Sequence, residues 1–237
     1  MTLRLYVETA LHAGLEFELP PGPARHVQVR RLQPGDALTL FDGSGGEWRA
    51  EVLQMGRQQV RVRAVAHDPV DREASVSVTL ALGMPANERM DWLVEKATEL
   101  GVAAIRPLVM ERSVLRLAGE RAARKQAHWQ AIAVAAVEQC GRTRVPQVHP
   151  VRAWAEANAL PAGPRGWVLS LAPGAAGATA LSGSRGELLL LSGPEGGLAP
   201  AEEARALALG LQPLSLGPRI LRAETAPLAA LAWLTSA

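Results

Sequence analysis

Leu188-Leu189-Leu190-Leu191-Ser192-Gly193-Pro194-Glu195-Gly196-Gly197 is the stretch on which the fold turns. Four consecutive leucines predict a short strand that is apolar on both faces, as in the middle of a sheet covered on either side. The strand breaks off in a loop of glycines with one proline and one carboxylate. Glycine lets backbone groups approach a ligand where a Cβ would collide; proline sets the turn and withholds a donor. Pro200-Ala201-Glu202-Glu203 then opens a helix, with proline in the first turn and acids at the positive end. Further on, Pro213-Leu214-Ser215-Leu216-Gly217 repeats the glycine-ended strand. It leads through Pro218-Arg219-Ile220-Leu221-Arg222-Ala223-Glu224-Thr225-Ala226 into another helix. One such turn forms readily with no ligand. Two of them in succession point to a shared pocket at the carboxyl edge of an α/β sheet.

Upstream the texture changes twice. Residues 1–72 read as a small β-barrel of short strands with no helix of any length. Asp36–Phe41 and Glu47–Leu53 are joined by the hairpin loop Asp42-Gly43-Ser44-Gly45-Gly46, and Gln59–Val65 alternates strictly. That glycine loop is followed by a strand, so it is not a nucleotide loop. Asp68-Pro-Val-Asp-Arg72 reads as the linker. From residue 75 the period changes, and strands and helices alternate. Val76–Leu82 is a strand and Asn87 is placed to cap the next helix. Met90, Leu93, Val94, Ala97 and Leu100 make that helix's apolar face, and Gly101 marks its end. A strand (102–109), a long helix (118–140), a short strand at Gln147-Val148, a short helix around Trp154 and a strand at 166–171 precede the leucine run. The alternation predicts a mostly parallel sheet with helices on both faces. In a dinucleotide fold the glycine loop would come first, whereas here the glycine loops come last, and no Gly-Lys-Ser/Thr occurs.

Composition narrows the chemistry. The chain has 237 residues, 48% of them hydrophobic and 20% charged, enough for a substantial core in one large domain or two modest ones. A single cysteine, Cys140, excludes an internal disulfide and a multi-cysteine metal site, and the five histidines show no ligand spacing. No metal is expected. No apolar run reaches membrane-spanning length, and the charged start Met1–Glu8 is unlike a signal peptide, so a cytoplasmic location is expected. Net charge is only +2, but Arg106–Arg152 holds nine basic residues against three acids. That excess suits a polyanionic partner or a solvated face in an arginine-rich chain; charge alone leaves both open.

The longer motifs add a resemblance that spans nearly the whole chain. Glu88–Val102 (ERMDWLVEKATELGV), Glu111-Arg112-Ser113, Glu138-Gln139-Cys140-Gly141-Arg142, the 193–197 loop and Leu216–Ala226 (LGPRILRAETA) carry it. Weaker agreement lies at Arg25-His26, Val29-Arg30-Arg31-Leu32, Gly35-Asp36 and Phe41-Asp42-Gly43. In these the chain resembles the ribosomal RNA small subunit methyltransferase E family, of the SPOUT class. It departs at Pro227 and at Ala86-Asn87, where a small or apolar residue and a basic one are usual. The resemblance implies an α/β SPOUT-like trefoil-knot domain over 73–237, with the knot near 187–237, and a PUA-like RNA-binding barrel over 1–72. It implies a homodimer that transfers methyl from S-adenosyl-L-methionine to N3 of a uridine in 16S rRNA of the small ribosomal subunit. The alternative is a non-catalytic RNA-binding or assembly factor on the same fold.

Site residues follow from the same resemblance. Leu171, Ser192, Gly193, Glu195, Gly196, Gly197, Leu216, Gly217, Ile220, Leu221, Thr225 and Ala226 would hold the cofactor. Arg222 and Arg219 are the candidate catalytic cations, since losing the N3 proton leaves negative charge on uracil; a phosphate contact or a helix cap would explain them equally. Glu195 fits a base or, better in so bare a loop, a partner of loop amides. Glu224 is expected to cap its helix. Arg25, His26, Arg30, Arg31, Arg112, Arg142 and Arg144 are the expected RNA contacts. Trp92, Trp129, Trp154, Trp167 and Trp233 are expected in the core.

Overall fold

The structure is a computed structural model and describes every residue except Met1, Gln58, Asn87, Ala157, Asn158, Ala162, Pro164 and Ala237. Two compact units form, Met1–Glu73 with Val137–Val145, and Ala74–Ala136 with Pro146–Ala237. The expected division at residue 72 did not foresee that Val137–Val145 groups with the first unit.

The first unit contains β1 (Arg4–Tyr6), β2 (Glu16–Glu18), α1 (Pro21–Val29), β3 (Ala37–Phe41), β4 (Glu47–Met55) and β5 (Val60–Asp68). Its sheet runs β1-β3-β4-β5-β2. β1 lies parallel to β3 and the other pairs are antiparallel. Val60 and Val62 turn inward with Leu5, Leu38, Leu40 and Val52, while Arg61 between them stays exposed, the period of a half-buried strand. Helix α1 corrects the sequence reading. Two prolines and a glycine in its first turn hide it from propensity, yet proline is acceptable there. Ala24 and Val27, three apart, are buried on one side. The helix ends where Leu32 N donates to Val27 O (3.3 Å) and Arg31 N to Gln28 O (3.0 Å). That termination needs a left-handed residue, usually glycine; here it is Arg31, with φ 56°.

The second unit contains β6 (Val76–Gly83), α2 (Glu88–Glu99), β7 (Ala104–Val109), most of α3 (Gly119–Cys140), β8 (Gln147–Val148), β9 (Arg152–Ala153), β10 (Gly166–Leu169) and β11 (Ala176–Gly177). A 3-10 turn (Ala178–Leu181), β12 (Gly186–Ser192), α4 (Pro200–Ala208), β13 (Gln212–Ser215) and α5 (Thr225–Thr235) complete it. The sheet order is β11-β13-β10-β12-β6-β7-β8, with β9 also on β7, and every pairing is parallel. The leucine run divides as a central strand must. Leu188 and Leu190 face a core built with Met90, Leu93 and Val94 of α2 and Leu231 of α5. Leu189 and Leu191 face the opposite core, with Ala206 of α4.

Two other expectations are corrected. Trp154 sits in a turn after β9, not in a helix. Trp129 and Trp154 are buried, but Trp92 and Trp233 are about half exposed; Trp92 lies across α2 from its buried residues Met90, Leu93, Val94 and Ala97. The Asn87 cap lies outside the described residues. No described helix is long and apolar enough to cross a membrane, and no described group of three His, Cys, Asp or Glu could hold a metal ion.

Candidate active site

Parallel pairing sets the carboxyl ends of β6, β12, β10 and β13 side by side. Leu82 lies opposite Ser192, Val168 opposite Leu191, and Leu169 opposite Leu214. The chain leaves each of these ends in a loop, and three of those loops enclose a cleft of about 630 Å³, within the range of small-molecule sites. Leu171, Ser192, Gly193, Glu195, Gly196, Gly197, Leu216, Gly217, Ile220, Leu221 and Ala226 all line it, as do Arg219 and Arg222. Thr225 does not; it faces a separate groove with Trp92, Lys96 and Leu228.

Close packing holds the first glycine loop in shape. A Cβ on Gly193 would lie 2.8 Å from Leu198 N and 2.9 Å from the Gly197 carbonyl carbon. From beneath, a Cβ on Gly83 would lie 2.5 Å from both the nitrogen and Cδ of Pro194. Glu195 Oε1 accepts from Ala86 N at 2.7 Å, which is the loop-amide role rather than that of a free base. Glu202 accepts from Ala199 N (2.9 Å) and Glu111 N (2.9 Å) and so ties the start of α4 to the loop after β7. Arg112 is engaged in the same framework. Its Nη1 donates to Gly196 O (3.0 Å) and Leu198 O (3.2 Å), where an RNA contact was expected.

Three polar cleft residues were not foreseen. Ser170 Oγ accepts from Ala172 N at 3.0 Å and donates to Glu203 Oε1, so a carboxylate with one oxygen fixed looks into the cleft. Arg89, from the first turn of α2, reaches it too. Arg89 lies in the 88–102 motif and Glu203 at the start of α4, yet nothing local assigns either to the site, because these residues meet only through strand order. Glu224 occupies the N-cap position of α5 but makes no capping bond, which corrects the expected cap.

In the first unit Arg25, His26, Arg30 and Arg31 are exposed along α1 and its end, and Arg144 is exposed as well. His26 Nδ1 lies 3.8 Å from Glu138 Oε2. Burial pushes the Glu138 carboxyl above its ordinary value, against the opposing pull of the Tyr6 amide, His26 and Arg4. Arg142 was expected at an RNA surface. It is only 5% exposed, and its guanidinium grips both oxygens of Glu73, Nε at 3.1 Å from each. A cation so buried is part of the framework.

An all-parallel sheet with a cleft at glycine-ended strand ends, in a chain that also carries a small mixed-sheet unit, defines the class. A profile for the RNA methyltransferase domain matches residues 72–235, and one for the RNA methyltransferase PUA domain matches residues 24–65. The chain belongs to the ribosomal RNA small subunit methyltransferase E family. It is 33% identical over 217 residues to the Bacillus subtilis protein of that name, covering 86% of this chain and 83% of that one. Against the Synechocystis protein identity is 33% over 214 residues, covering 88% and 69%. Among solved structures, the Neisseria gonorrhoeae ribosomal RNA small subunit methyltransferase E bound to S-adenosyl methionine superposes with a TM-score of 0.90. Identity is 37%, with 98% of this chain and 96% of that one covered.

Proposed function

We propose that the protein methylates N3 of a uridine in the 16S rRNA of the small ribosomal subunit, using S-adenosylmethionine. The observation that carries this is the glycine-edged cleft, in a chain whose Neisseria relative binds S-adenosyl methionine. The cleft fits that group chemically. Gly193, Gly196, Gly197 and Gly217 offer backbone where side chains would crowd a nucleoside, and Glu203 offers an oxygen to hydroxyl or ammonium donors. When bound, S-adenosylmethionine supplies a methyl group on a cationic sulfur. The eleven expected cofactor residues that line the cleft are proposed to hold it, and Thr225 is not among them. Their main task is alignment with N3. Arg222 and Arg219 are proposed to stabilise the charge that develops on uracil.

In this reading residues 1–72 form the PUA-like RNA-binding domain and residues 73–237 the methyltransferase domain, knotted near 187–237. Arg25, His26, Arg30, Arg31 and Arg144 contact RNA phosphates. A homodimer is supported by exposed Trp92, Trp233 and Ile220 and by α5, which has no charged residue; such a surface fits a second copy. The substrate puts the enzyme in the cytoplasm. Incubating the protein and S-adenosylmethionine with small subunits from a strain lacking this methylation, then digesting the rRNA for mass spectrometry, tests the reading. One N3-methyluridine per 16S rRNA is expected. Cofactor binding by calorimetry with no methylated uridine would favour the non-catalytic alternative.

A further inference from the structure

Glu224 is an anomaly. It is 7% exposed, makes no capping bond to its own helix, and its Oε2 has no hydrogen-bond partner among the described residues. Its other oxygen lies 3.9 Å from Nε of Arg89, whose side chain is 47% exposed. A buried carboxylate with one idle oxygen and one long ion pair is a poor way to hold a fold together. Such arrangements persist where they serve a site.

Arg89 supplies the site. Four guanidiniums border the cleft, those of Arg89, Arg112, Arg219 and Arg222, and they are not equivalent. Arg112 is spent on loop carbonyls. Arg219 and Arg222 have no side-chain partner among the described residues. Arg89 alone faces the cleft while tethered to a buried carboxylate, and a charge acts most strongly on a reacting atom when its own position is fixed. We propose that Arg89 is a catalytic cation of this cleft, set against a carbonyl oxygen of uracil, and that Glu224 is the residue that positions it. This rests on the methyl-transfer reading above. As the N3–C bond forms, the C–S bond breaks and its electrons return to sulfur. The N3 proton passes to solvent water, and Arg89 keeps its own proton throughout. The charge gathering on the uracil oxygens is what the guanidinium offsets.

The test is steady-state methylation of small subunits by the wild type, Arg89→Ala, Arg89→Lys and Glu224→Gln, with calorimetry of S-adenosylmethionine and thermal melts on each protein. Arg89→Ala is expected to lower kcat by about 10²-fold or more, with the KM for RNA and the affinity for S-adenosylmethionine nearly unchanged. Arg89→Lys should restore part of that loss. Glu224→Gln, which keeps the volume, should lower kcat without changing KM, and adding it to Arg89→Ala should cost nothing further. If Arg89→Ala raises KM and spares kcat, Arg89 is a phosphate contact and the assignment is wrong. A Glu224→Gln protein that melts lower but turns over normally when folded overturns the positioning role. Failure of the wild type to methylate uridine defeats the functional reading itself, whereas unaffected variants of an active enzyme defeat only this proposal.

Discussion

Replacing Gly83 by alanine is expected to weaken cofactor binding without touching the cofactor. The added Cβ would sit 2.5 Å from Pro194 Cδ and nitrogen and 3.0 Å from Met110 Sδ, against 3.4 Å for ordinary contact. Close to 1 Å of room is therefore missing. Gly83 is paired with Leu108 in mid-sheet, so the strand is held and the 193–197 loop must yield. Overpacking of this kind costs about 1–3 kcal/mol, and a shift of about 1 Å in a positioning loop costs up to roughly 10²-fold. Calorimetry should show S-adenosylmethionine bound ten- to a hundredfold more weakly, by this ~10² scale, with a lowered melting temperature. Gly22→Ala is the matched control, since nothing lies within 4 Å of its Cβ; in α1 it should stabilise by about 0.5–1 kcal/mol and leave affinity alone. Wild-type affinity and melting temperature in Gly83→Ala would refute the idea that this close approach shapes the cleft.

Three further outcomes are expected. Arg142→Ala strands Glu73 in a largely buried pair and should cost about 3–5 kcal/mol in urea denaturation; a loss under 1 kcal/mol, on the ~0–1 scale of surface pairs, would return Arg142 to the surface. Arg31→Gly relieves a left-handed arginine, so net stability should rise by up to about 1 kcal/mol. The same change should make the salt slope of RNA binding shallower by about 0.7–0.9; an unchanged slope removes Arg31 from the RNA contacts. Burial, and then the Arg106 guanidinium, hold His149 below its ordinary 6.5. The unfolded chain takes up that proton first as pH falls, so the contribution is full above 6.5 and drains away below it. His149→Gln should flatten the stability profile between about pH 7 and 5, as read by denaturation midpoints at the two ends.

Periodicity and punctuation made the second unit legible. Leu188–Leu191 signalled a strand buried on both sides because every position was apolar, and it divides its leucines between two cores. The glycine-ended strands located the cleft because bare loops need no long-range information to be recognised. What stayed hidden depends on distance along the chain. Ser170 and Glu203, Arg89 and Glu224, and Glu73 and Arg142 are each brought together by the fold alone. Arg142 therefore looked like one more cation in a basic run. Helix α1 was obscured by residues that usually break helices but are harmless in a first turn. Trp92 lies across α2 from the buried side of Met90, Leu93 and Val94, and Trp233 lies on α5, which carries no charge on any side, so residue type alone misplaced both.

The return of Val137–Val145 to the first unit has a consequence for how such a module could be inherited or transplanted. Cut after residue 73, the amino-terminal piece would carry Glu73 without the guanidinium that neutralises it and the Tyr6 amide without the Glu138 carboxylate that accepts from it. It would be no self-sufficient cassette. Gene fusion or recombination that moved it alone would have to replace those partners, so the two halves of the gene are bound to travel together.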